Sequence, residues 1–138
     1  MDKLIIMKTL TANLCAEMKL EIPRIILCDS SFYRLASIDF RRVNGKRQPD
    51  LICINTYLLE FLDTEPLEFL LAHELAHGTS DTGQEEECDA LAARIVGKEK
   101  GIQLYKELRL FCETMECECH HPPHMWIDRL NLLSNAAL

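Results

Sequence analysis

At 138 residues and 15.9 kDa the chain has the length of one domain, and 48% hydrophobic against 27% charged residues is an ordinary globular composition, enough to bury about two thirds of the unfolded surface. Fifteen Lys and Arg against 22 Asp and Glu leave a net charge of −7, which repels a phosphate backbone and excludes nucleic acid as the expected partner. Seven cysteines, an odd number without framework spacing, argue against a disulfide-stapled secreted module.

The N-terminal run Leu4-Ile5-Ile6-Met7 is too short for the apolar region of a signal peptide. The longest apolar stretch, residues 58–72, is broken by Glu60, Asp63, Glu65, Pro66 and Glu68 and cannot span a bilayer. No repeat or linker divides the chain, so the expectation is one domain over residues 1–138, cytoplasmic and with no membrane partner.

Met7, Leu10, Leu14 and Met18 recur at helical spacing and predict an amphipathic helix over 4–20, closed near Pro23. Arg24-Ile25-Ile26-Leu27-Cys28 reads as a short buried strand, 34–43 as a second strand and Leu51-Ile52-Cys53-Ile54 as a third, with the turn residues of 43–50 before it. Cys28 and Cys53 are read as small buried hydrophobes. From Asn55 the period becomes helical: Asn55 or Thr56 caps a short helix over Tyr57 to Leu62. Thr64-Glu65-Pro66 then opens a longer helix with Leu67, Leu70, Leu71 and Leu75 buried, ending at Gly78. Glu85 to Lys98, Gly101 to Cys112 and Met125 to Ala137 make three more helices, the last with Trp126, Leu130, Leu133 and Ala137 on one face. Together these predict an α+β fold, a small mixed β-sheet packed against helices.

The chemical signal is His73-Glu74-Leu75-Ala76-His77, an H-E-x-x-H sequence inside a segment that is helical on independent grounds. Four-residue spacing stacks both imidazoles on one helical face, close enough to share one metal ion, with Glu74 beside them. A catalytic zinc site takes three protein ligands and keeps one position open. The metzincin continuation is absent, because Ser80 and Gly83 stand where it needs Gly and His. Two carboxylates compete for third ligand: Asp81, close to the end of the motif helix, and Glu85, which shares a face with Cys88, Asp89, Ala92 and Ile95 on the next helix. A seven-residue connection from Gly78 to Gln84 can lay that helix antiparallel to the first, which favours Glu85. Asp89 then accepts a hydrogen bond from a ligand imidazole and sets its tautomer.

Leu71-Ala72-His73-Glu74-Leu75-Ala76-His77 followed by Glu85-Glu86-Glu87-Cys88-Asp89-Ala90 resembles the gluzincin signature of the CAAX prenyl endopeptidase and HtpX heat-shock protease family, H-E-x-x-H and then E-x-x-A-D, with Cys88 for the usual alanine. Ile52 to Leu59 resembles the strand and helix that precede the motif there. His121-Pro122-Pro123 with Asp128-Arg129-Leu130 is similar to its H-P-P segment and following acidic-Arg-aliphatic helix, with two extra residues before the arginine. Leu35-Ala36 stands where the family often has Asn-Ala on the edge strand of the substrate cleft, and the transmembrane helices of the larger relatives are missing. The resemblance is therefore to the soluble minimal, minigluzincin type. A second relative by pattern is the ImmA/IrrE group of regulatory gluzincins, which end the second motif in Ala-Asn, so Asp89 sides with the first group.

The expected fold is zincin-like, with the H-E-x-x-H active-site helix beside an antiparallel glutamate helix. The expected function is zinc-dependent endopeptidase activity, with Zn2+ on His73, His77 and Glu85, and Glu74 as general base. His121 is the candidate donor to the oxyanion, ahead of His120 and His124. A peptide or protein substrate would add itself to the strand at 34–43. The rival readings are a regulatory or binding module that keeps zinc for structure, and a metal-free helical interaction protein. Cys112, Cys117, Cys119, His120 and His121 have a spacing uncommon for a second, structural zinc site and read more simply as helix-packing or exposed groups.

Overall fold

The computed structural model describes residues 2–29, 35–79, 84–115 and 123–137, with the side chains of 123–125 excepted. Its elements run α1 (Lys3–Met18), β1 (Arg24–Cys28), β2 (Ala36–Val43), β3 (Lys46–Asn55), α2 (Thr56–Phe61), α3 (Thr64–Ala76), α4 (Glu85–Val96), α5 (Lys98–Met115) and α6 (Pro123–Asn135). Among the described residues, six helices and a three-stranded mixed sheet make this an α+β protein. None of the described helices is long and apolar enough to cross a membrane.

Helix α1 starts where the Asp2 carboxylate accepts from the Leu4 N–H at 2.8 Å. It stops at Lys19, which turns left-handed (φ 59°) and donates its N–H to the Cys15 carbonyl. Pro23 therefore does not end the helix. The inward face includes Thr11 and Cys15 beside Met7 and Leu14; the Thr11 hydroxyl is satisfied by the Met7 carbonyl at 2.8 Å, which lets a polar residue sit in the core.

The sheet order is β1-β3-β2, with β1 parallel and β2 antiparallel to β3. Residues 43–50 are not one long turn. Asn44 (φ 52°) and Gly45 (φ 80°) alone make the reversal, both left-handed as a two-residue hairpin of right-handed twist requires, and β3 begins at Lys46. Pro49 can lie in this strand because β1 pairs only from Leu51 onward and the register shifts between Asp39 and Phe40, where Pro49 is opposite Phe40. One sheet face, with Ile52 and Ile54 each 1% exposed, meets the helices. The other carries Ile26, Cys28 and Cys53. Strand β1 is thus not the buried strand expected: as an edge strand it leaves Ile26 and Leu27 exposed, and Cys28 and Cys53 are only half-buried.

Asn55 caps α2, its side chain accepting from the Leu58 N–H at 3.0 Å. Helix α3 packs against α1, α4 and α5 and touches β2. Its residues 66–76 are buried on nearly every side apart from Glu68, so it is a central helix and not one with a single apolar face.

Two glycines act through close approach. Gly78, expected to end α3, follows the C-cap His77 and has no positive φ; a Cβ on it would lie 2.4 Å from Phe40 Cε1. Gly101, expected to begin a helix, lies inside α5, and a Cβ there would fall 2.5 Å from Leu133 Cδ2 and 2.6 Å from Phe69 Cε2. The break between α4 and α5 is instead Gly97, whose φ of 98° suits glycine. Overpacking costs about 1–3 kcal/mol, against a gain in helix propensity of about 1 kcal/mol. Gly101→Ala is accordingly expected to lower unfolding free energy by up to about 2 kcal/mol, read as a lower urea midpoint at unchanged m-value.

Candidate metal centre

The site is built on the last turn of α3. His73 lies in that turn, and His77 follows as the C-cap with helical angles (φ −57°, ψ −23°), so the helical phase continues through both imidazoles. The chain leaves by tighter turns, with the Gly78 N–H donating to Leu75 and the Thr79 N–H to Ala76, each at 3.0 Å. The rings meet edge-on at 85°, with Nε2 of His73 3.3 Å from Nε2 of His77.

Opposite them stands the first turn of α4. Glu85 Oε2 is 2.8 Å from His73 Nε2, and Oε1 is 3.5 Å from His77 Nε2. One ligand atom from each of His73, His77 and Glu85 lies within 4.8 Å of the others, so the three can hold a metal ion. Glu85, in the first turn of α4, reaches both imidazoles, and Asp89 one turn later reaches His73. His73 is 5% exposed at its side chain and Glu85 41%, so the cluster faces solvent from the Glu85 side. Glu74, one residue along α3, is buried and stands outside the ligand group.

Behind the cluster, Asp89 Oδ1 accepts from His73 Nδ1 at 2.8 Å and from Arg129 Nη2 at 3.1 Å, and Oδ2 accepts from Arg129 Nε at 3.2 Å. The Tyr105 hydroxyl also donates to Asp89 Oδ1 and accepts from Arg129. Arg129 reaches Glu85 Oε2 at 3.2 Å, and its guanidinium lies over the rings of Tyr105 and Trp126, which stack on each other.

The structure thus brings together His73, Glu74, His77, Glu85 and Asp89. Asp81, His120, His121, Cys117 and Cys119 lie outside the described residues, as does the His124 side chain. Cys112 is a buried residue of α5, as a packing role requires. Sequence reading left Arg129 without a role and passed over Tyr105. The available signal was a polar group on an apolar face: Arg129 among Trp126, Leu130 and Leu133, and Tyr105 among Leu104, Leu108 and Phe111.

In the metal-free protein these contacts set the charge states. Burial disfavours a charged His73, but the carboxylates of Asp89 and Glu85 on its two ring nitrogens, with Glu74 nearby, outweigh it and hold the pKa at about 9. Burial likewise opposes the charges of Glu85 and Asp89, yet His73 and Arg129 keep both below the usual carboxylate range, with His77 assisting at Glu85. Glu74 moves the other way, raised by burial against the pull of His73 and His77. Burial also pushes the Cys88 thiol, beside Glu85 and Asp89, up to about 12 and keeps it protonated. An ion entering the cluster therefore displaces the Nε2 proton of His73.

Comparison with family models, with curated proteins and with solved structures returned no match.

A pH dependence follows for the metal-free protein. His73, with its folded pKa raised from 6.5 to about 9, stabilises fully below pH 6.5 and loses that contribution as pH rises through about 9; the raised pKa of Glu74 acts in the same direction. Glu85 and Asp89, depressed from 4.5 and 3.8, stabilise above those values and lose their contribution as pH falls. Urea unfolding with a chelator present is expected to give greatest stability between about pH 4.5 and 6.5, declining on both sides.

Proposed function

We propose that the chain is a zinc-dependent endopeptidase of gluzincin type, with a zincin-like fold resembling the minimal relatives of the CAAX prenyl endopeptidase and HtpX family. The observation that carries this reading is the His73, His77 and Glu85 cluster with Glu74 buried beside it and outside the ligand group. Two nitrogens each about 2.0–2.1 Å from a tetrahedral zinc lie roughly 3.3 Å apart, and the two Nε2 atoms are 3.3 Å apart. Two imidazoles and one carboxylate are a donor set that leaves a fourth position for water or substrate. His73 meets the tautomer requirement, because Nδ1 is engaged by Asp89 and Nε2 is left to the ion. The C-terminal end of α3 also favours a cation, and the N-terminal turn of α4 favours the charge on Glu85.

Bound zinc supplies Lewis acidity that polarises a peptide carbonyl and lowers the pKa of the attacking water from about 16 toward about 7. Glu74 takes the proton from that water and returns it to the amine nitrogen as the C–N bond breaks. Burial, which raises the pKa of Glu74, brings it nearer the range in which a carboxylate both accepts and releases a proton. His121, just before α6, is the proposed donor to the oxyanion. The substrate backbone adds to β2, which pairs only with β3 among the described strands and meets the end of α3 through Phe40 and Gly78.

Metal analysis and peptide cleavage test this together. Glu85→Ala is expected to lose stoichiometric zinc, and retention would remove the proposed ligand set. Glu74→Gln is expected to keep zinc and cut an unstructured peptide about 10²–10⁴ times more slowly than wild type. Zinc uptake by wild type with no Glu74-dependent cleavage would instead make the chain a zinc-stabilised binding module.

A further inference from the structure

Tyr105 lies on α5, 16 positions beyond Asp89 and on a different helix from either His73 or Glu85, and yet its hydroxyl meets the carboxylate behind His73. The residue is 2% exposed. A hydroxyl placed so deep is costly unless bonded, and on this face Leu104, Leu108 and Phe111 show that packing alone is met by apolar side chains. Its ring is fixed on both sides, stacked on Trp126 at 5.9 Å between centroids and edge-on to Phe69 at 6.3 Å. The oxygen accepts from Arg129 and donates to Asp89 Oδ1, the same atom that receives the His73 Nδ1–H.

We propose that Tyr105 is a positioning residue of the metal centre: its hydroxyl locks the Asp89 carboxylate, and Asp89 in turn aims the His73 imidazole at the ion. The inference rests on the reading of His73, His77 and Glu85 as metal ligands. Arg129 binds both Asp89 oxygens and Glu85, so without the tyrosine hydroxyl the Asp89 carboxylate can follow the guanidinium and rotate away from the His73 Nδ1–H. The hydroxyl holds Oδ1 in line by a contact from a third helix, and the rigid ring gives that contact a fixed origin. Outer partners of this kind change metal affinity by about 10–100-fold.

The test uses the full chain, stripped of metal and titrated with Zn2+ against a chromophoric chelator and with Co2+ for its visible absorption. Tyr105→Phe keeps the ring and its stack and removes only the hydroxyl. It is expected to weaken zinc binding about tenfold or more and to alter the cobalt bands. Phe111→Leu, a buried change on the same helix against Phe61 and away from Asp89, is expected to lower the urea midpoint while leaving zinc affinity within twofold. In an Asp89→Ala background, Tyr105→Phe is expected to change zinc affinity less than twofold, since the hydroxyl then has no carboxylate to hold. Zinc affinity unchanged by Tyr105→Phe, or lowered equally with and without Asp89, would overturn the role of Tyr105 and leave the ligand set standing. Wild-type protein that takes up neither ion overturns both.

Discussion

Asp89 is where the helical half of the protein is tied together. Its two oxygens receive the His73 ring from α3, the Tyr105 hydroxyl from α5 and two donors of Arg129 from α6, while the residue itself belongs to α4. A carboxylate that is 5% exposed persists in a protein interior only when donors compensate its charge, and here three other helices must be in place to provide them. Removing Arg129 leaves that buried charge without its guanidinium partner, so the arrangement of the helices and the charge state of the site are one problem. The large aromatic surfaces of Phe69, Tyr105 and Trp126 then pack around the polar core and exclude water from its inner side.

The same contacts grade the polarity of the site from inside to outside. His73 is fixed through Nδ1 at its buried end, His77 is more open, and Glu85 faces solvent. The cluster that could hold a metal ion is therefore fixed at its buried side and accessible at the other. Two helix ends reinforce the polarity, the carbonyl end of α3 at the two imidazoles and the N–H end of α4 at the Glu85 carboxylate. The short connections after Ala76 and the lack of any side chain at Gly78 allow Phe40 of β2 to press against this turn, which brings the sheet edge alongside the cluster.

Much of this was legible from residue order because it depends on local periods. The spacing of His73 and His77 places two rings on one face in any α-helix, and that of Glu85 and Asp89 does the same on the next. The six helices and three strands of the described residues were all foreseen. The misplacements share a cause. Pro49 and Asp50 read as turn residues, but a strand tolerates a proline at a bulge and away from its second neighbour, and only the pairing of β1 with β3 reveals where that is. Gly78 and Gly101 read as helix boundaries, whereas each is small because another element's ring or methyl occupies the place of its Cβ. Strand β1 read as buried from its composition, and its position at the sheet edge exposes it.

The residue order alone determined the H-E-x-x-H face, the carboxylate pair one helix later and the α+β succession of elements, because each follows from dihedral preferences and a repeat of two or 3.6 residues within one segment. Only the tertiary structure decided that Tyr105 and Arg129 meet Asp89, that Glu85 closes on both imidazoles, and that β2 lies at the edge beside them. Those side-chain contacts join residues 8 to 40 positions apart on different helices, and they are closed by the packing of whole faces, which no local period encodes.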